Sequence, residues 1–233
     1  MRKYFSLLLS FIVIPFLMMS CGDDDPDPNP DPNPNPKTAE KTIFMYFPWS
    51  GSSANTYTGT LYDAFLQNIA DVESAIKSQG GLGDRHLMVF ICKSPKLTAA
   101  TNQNRPIAYL IDFSYEKNAI VRDTIESYTT ATIPDYTSAA GLTTLWNQVK
   151  KEAPAKTYAM IIGSRWLPKG VTPTVSSSKP RRAIGGTSGD YQMNIADLAS
   201  GISGAGVHLQ YILLDDCYLS NIETAYELKD VAD

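Results

Sequence analysis

Few side chains in this sequence could do chemistry. Cysteine occurs at 21, 92 and 217, and histidine at 86 and 208. Asp215-Asp216-Cys217-Tyr218 directly follows the apolar run Tyr211–Leu214. A cysteine at a strand end, ahead of a helix, meets backbone N–H groups and a positive dipole end, and both favour the nucleophilic thiolate. The competing reading is a small buried hydrophobe, and position alone leaves the two open. Cys92 lies inside the apolar HLMVFIC and reads as core. With no CxxC and no Cys/His cluster, neither a disulfide scaffold nor a structural zinc site is expected.

These residues must be positioned by the elements around them. Apolar, β-rich runs at Lys41–Phe47, His86–Cys92, Ile107–Phe113, Tyr158–Gly163 and Val207–Leu214 predict buried strands. Lys117–Tyr128 reads as a strand or hairpin arm. Leu61–Ser78 has apolar residues at helical spacing and is ended by Gly80, Gly81 and Gly83. Ser138–Glu152 reads as a helix stopped by Pro154, Asn194–Ser203 as a short helix before the turn Gly204–Gly206, and Asn221–Asp233 as a final helix. Strands alternating with helices imply a mainly parallel sheet covered on both faces. Such sheets carry chemistry at the carboxyl ends of their strands. The loops of interest are therefore Pro48–Thr60, Ser164–Gly189 and Asp215–Ser220. His86 and His208 each stand at the amino end of a strand, away from Cys217.

The N-terminus reads as an address. Arg2 and Lys3 precede an apolar stretch, Tyr4–Met19, too short to be a confident membrane span. Residues 1–20 form an expected signal peptide, and Leu17–Cys21 resembles a bacterial lipobox, with Cys21 the lipid attachment site. The acidic run Gly22–Asp25 resembles an export tag to the outer face of the outer membrane. Pro at alternate positions in PDPNPDPNPNP forbids helix and sheet. Residues 21–38 thus form a tether that could hold a domain, residues 39–233, roughly 50 Å from the membrane.

Of 233 residues, 43% are hydrophobic and 19% charged, which supports a core and excludes global disorder. The net charge is −4, so no basic excess points to a nucleic acid. Gly185–Gly189 is glycine-rich but lacks the lysine of a phosphate-binding loop, and a nucleotide-binding domain is a weak reading.

YILLDDCYLSNIETAYEL resembles the nucleophile segment of the clostripain family of cysteine endopeptidases. Tyr158–Trp166 resembles the preceding strand and loop of that family, Arg182–Thr187 the segment beyond, and Thr42–Trp49 its first strand. The resemblance implies an α/β, caspase-like three-layer sandwich, incomplete at its C-terminal end because family members continue past the nucleophile helix. It implies Cys217 as nucleophile and Asp215 at the floor of the pocket that takes an Arg or Lys before the scissile bond. A carboxylate there selects bases by charge-assisted pairing. The other reading of Asp215 is a helix N-cap. The implied partner is a polypeptide carrying basic residues.

The sequence also departs from the family. A His-Gly pair is expected after Tyr158–Gly163, but the residues are Gly163-Ser164-Arg165-Trp166. That histidine would protonate the leaving amine, and the glycine N–H would support the oxyanion. Gly163, Ser164 and Arg165 are the remaining candidates in that loop. Arg165 can depress a thiol pKa but does not release a proton. The expectation is an impaired or inactive peptidase, or a surface-anchored protein that binds basic peptides without cutting them. No cofactor is expected. The resemblance brings calcium into view, yet no acidic loop has convincing ligand spacing. Ser176–Arg182 reads as a solvated loop or as a processing site. Fatty-acid labelling of the wild type should disappear in Cys21→Ala; equal labelling of both would reject lipid attachment.

Overall fold

The strand Ala39–Phe47 (β1) is the spine of the fold. Its alternation sends Phe44 and Tyr46 to one face and Met45 and Phe47 to the other, and all four are buried. A strand buried on both faces belongs at the centre of a sheet, and β1 is paired on both sides. The computed structural model describes residues 37–48, 61–92, 107–129, 131–132, 135, 138–166, 183–185, 192–215, 219 and 221–233.

The further strands are Arg85–Cys92 (β2), Ala108–Glu116 (β3), Ala119–Tyr128 (β4), Ala155–Gly163 (β5) and Leu209–Asp215 (β9). They make a six-stranded sheet in the order β4-β3-β2-β1-β5-β9. β2, β1, β5 and β9 run parallel, while β3 is antiparallel to both of its neighbours. This is the expected α/β architecture. The Lys117–Tyr128 segment is a hairpin arm. Its turn residues, Lys117 and Asn118, have φ of 49° and 64°, as a two-residue hairpin loop matched to strand twist requires.

Helices cover both faces. Leu61–Ser78 (α1) buries Phe65, Ile69 and Ile76 against Met45, Phe47, Leu87 and Val89. Its end is a Schellman motif: Gly81 N–H donates to Ile76 O at 2.9 Å and Gly80 N–H to Lys77 O at 3.1 Å. Gly80 has φ +75°, which a side chain would strain. On the opposite face lie Ala139–Glu152 (α2) and Ile195–Gly204 (α3). Ser138 caps α2 by accepting from Gly141 N–H at 3.1 Å, and Asn194 caps α3 by accepting from Asp197 N–H at 2.7 Å. Gly204 closes α3 and is not the first turn residue.

Two expectations change. Ser164–Gly189 is not loop throughout: Arg165–Trp166 (β6), Ala183–Gly185 (β7) and Gln192–Asn194 (β8) form a small antiparallel sheet. Gly185, the first residue of the glycine-rich run, ends β7. The last helix, Ile222–Leu228 (α4), stops short of the chain's final residues. Asp233 N–H donates to Leu209 O at 3.1 Å and Leu209 N–H to Val231 O at 2.8 Å, so the segment turns back onto β9. Residues 1–36, on which the expected signal peptide, Cys21 and most of the expected tether fall, lie outside the described residues. Among those described, no helix is long and apolar enough to cross a membrane.

Trp146 of α2 organises the core below the sheet. It is fully buried, edge-on to Phe44 at 4.9 Å and to Tyr158 at 6.0 Å. Trp146→Ala should cost about 3–5 kcal/mol of unfolding free energy. Urea denaturation is the check, and a loss under about 1 kcal/mol would mean the pocket collapses around the missing ring.

Candidate active site

Parallel pairing brings three strand ends to one edge. Ile162 of β5 is level with Tyr46 of β1, and Gly163 is level with Asp215 of β9. Phe47, Gly163 and Asp215 thus end their strands side by side, where α/β sheets place ligands.

The contact between β1 and β5 at this edge is tight. A Cβ on Gly163 would lie 2.6 Å from the Phe47 ring and 2.8 Å from that of Phe65. Those rings stack at 4.4 Å with 7° between planes. Gly163 is therefore required by close approach to an aromatic pair, a role independent of any oxyanion. Ser164 follows and is buried. Arg165 begins β6, opposite Gly185.

Asp215 is exposed at the end of β9. Its Oδ2 accepts a hydrogen bond from Asn68 Nδ2 of α1 at 2.6 Å. It is not the N-cap of α4. Asn221 fills that position, accepting from Thr224 N–H at 3.0 Å and donating to Leu219 O at 3.1 Å. Leu219 is fully buried. Cys217 itself lies outside the described residues. Cys92 is in the core, 0% exposed, as its sequence setting predicts.

Both histidines stand at the far edge of the sheet. His86 is level with Thr42, and Thr42 with Tyr158. His208 directly precedes Leu209, which is level with Tyr158. From Tyr158 to Gly163 is roughly 16 Å of extended strand. Each histidine is engaged there: His86 Nε2 with Lys37 O at 3.2 Å, and His208 Nε2 with Asp233 Oδ1 at 2.9 Å. Neither can reach a group at Asp215. Among the described residues, no three Asp, Glu, His or Cys side chains converge as a metal site.

Asn68 is the site residue that sequence reasoning missed. It occupies the flank of α1, between buried Phe65 and Ile69 and the solvated face. Nothing local marks it, because its partner is 147 residues away.

Comparison with solved structures decides the family. A secreted C11 cysteine protease from Bacteroides thetaiotaomicron, iotapain, is 38% identical over 85% of this chain, with a TM-score of 0.65. The chain belongs to the C11, or clostripain, family of cysteine proteases. An inactive zymogen C11 protease from Parabacteroides distasonis is 27% identical over 85% of the chain, with a TM-score of 0.60. A second secreted C11 protease from Bacteroides thetaiotaomicron, in complex with an irreversible peptide inhibitor, shares the fold at 19% identity over 83% of the chain and a TM-score of 0.57. The chain spans 51%, 48% and 47% of these three proteins respectively, about half of each. No sequence-family model and no curated protein sequence matches it.

Gly163→Ala should destabilise the protein by about 1–3 kcal/mol, as overpacking does. Adding Phe47→Leu should recover part of the loss, because the two residues share one space. Strictly additive losses in thermal or urea unfolding would show that Gly163 is not held by that ring.

Proposed function

We propose that this chain is a surface-anchored C11-type cysteine endopeptidase domain with impaired hydrolysis. Cys217 is the nucleophile, and Asp215 selects Arg or Lys in a polypeptide substrate. The observation that carries this reading is the edge geometry. Asp215 ends β9 beside Gly163, and both histidines lie at the opposite edge. The cysteine two residues past Asp215 therefore follows a strand end where the family's chemistry sits, without an imidazole beside it.

The consequence follows from the reaction. A thiolate attacks the amide carbon and forms a tetrahedral intermediate. The C–N bond then breaks only if the amine gains a proton; otherwise the C–S bond breaks and the substrate returns. A general acid contributes about 10²–10⁴ in rate. Losing an oxyanion donor costs about 10²–10³ more. Gly163-Ser164-Arg165 supplies no acid for the amine. The outward location is supported by the lipobox-like Cys21 and by secretion of the relative iotapain.

A second reading, a non-catalytic binder of basic peptides, is favoured by the same histidine placement. The two separate in one experiment. Turnover of a fluorogenic Arg substrate is measured for wild type and Cys217→Ala, alongside binding of an uncleavable basic peptide. Binding without Cys217-dependent turnover is expected. A Cys217-dependent kcat above about 1 s⁻¹ would overturn the impairment and show that another group donates the proton.

A further inference from the structure

We infer that Asn68 is the positioning residue for the basic-residue subsite, holding the Asp215 carboxylate in the orientation that receives a cationic side chain. This rests on the reading of Asp215 as the selecting carboxylate.

Asp215 is the last residue of β9, exposed, on a strand whose outward-facing neighbours Tyr211 and Leu213 are also exposed. Left alone, such a side chain samples several rotamers. Asn68 removes that freedom through one bond of 2.6 Å from its amide to Oδ2. The polarity is unambiguous, because a carboxylate can only accept and the amide N–H must donate. Oδ1 is left to meet a guanidinium or an ammonium.

The helix that supplies Asn68 is well placed to hold it. Phe65, one turn earlier, is buried and stacked on Phe47 at 4.4 Å, and Ile69 is buried in the same layer. Phe47 in turn leaves no space for a Cβ on Gly163. Asn68 is therefore tied through α1 to the two strands whose ends flank the site. An immobilised side chain costs less to order when ligand arrives. That saving is about 0.5–1.5 kcal/mol, or roughly two- to tenfold in affinity.

The test is binding by the full chain, so it does not require turnover. Fluorescence anisotropy compares a labelled peptide ending in Arg with the same peptide ending in citrulline, its neutral isostere. The quantity read is the ratio of the two affinities. Asn68→Ala should lower that ratio roughly two- to tenfold, with citrulline-peptide binding unchanged. Asn68→Gln, which keeps the donor, should restore part of it. In an Asp215→Asn background, Asn68→Ala should have no further effect on the ratio. A ratio unchanged by Asn68→Ala but collapsed by Asp215→Asn overturns the role of Asn68 and leaves the reading of Asp215 standing. A wild-type chain that does not discriminate, or an Asp215→Asn variant that keeps the preference, overturns that reading and the inference with it. Circular dichroism and melting of each variant identify any that fail to fold; Asn68→Ser then replaces Asn68→Ala as the shortened side chain.

Discussion

The Phe47 ring leaves Gly163 no room for a side chain, and much of the site edge depends on that contact. It draws the carboxyl ends of β1 and β5 together and fixes Phe65, stacked on the same ring. Phe65 belongs to α1, so the helix is registered against the sheet at the same point. One turn further along, α1 presents Asn68 to Asp215. The geometry of a surface carboxylate is thereby set by packing inside the layer. Hydrogen bonds at an exposed edge are weak anchors by themselves, worth about 0.5–1.5 kcal/mol in a typical protein setting. Rigid support from the aromatic pair is what lets such a bond fix an orientation.

The placement of the histidines is a matter of topology. In a parallel sheet every strand end of one kind lies at one edge, so a residue at an amino end cannot migrate to the site through side-chain motion. His86 and His208 share a row, roughly 16 Å of strand from Gly163. An imidazole could reach the site only from a loop at the carboxyl edge, and the residues next to Gly163 are Ser164 and Arg165. Ser164 is buried and lacks a group that changes charge in the relevant range.

The elements most legible in the sequence were those with strong patterns. α1 carries a clean helical stripe and a glycine stop, and its bounds are as the pattern predicts. β1, β2 and β5 are dense apolar runs because both faces are buried, and they were readable for that reason. β6, β7 and β8 have two or three residues each, too few for a period to show. α4 is shorter than Asn221–Asp233 because Ala232 bridges in parallel to Leu209, which draws the chain out of the helix and back onto β9. At the site, the strand-end position of Asp215 followed from the run before it. Its partner Asn68 did not, since a polar residue on a helix flank looks the same whether it faces water or a carboxylate.

The two edges of the sheet complete the physical picture, because they differ in kind. β4 is a charged edge, with Arg122, Asp123 and Glu126 outward and Arg122 paired to Glu73 of α1 at 2.5 Å. Such an edge resists pairing with another strand. β9 carries the opposite character. Leu213 is 53% exposed and Tyr211 39%, and an open trough of about 770 Å³ runs beside Ile212, Leu214, Leu219 and Leu228. Ile222 and Tyr226 of α4 are exposed at 80% and 67%. Tyr211 and Leu213 share the face of β9 that bears Asp215, whereas the trough beside Ile212 and Leu214 lies across the sheet, with α4. Asp215 is thus oriented from the α1 side, and the trough across the sheet from it is a separate feature of the same strand.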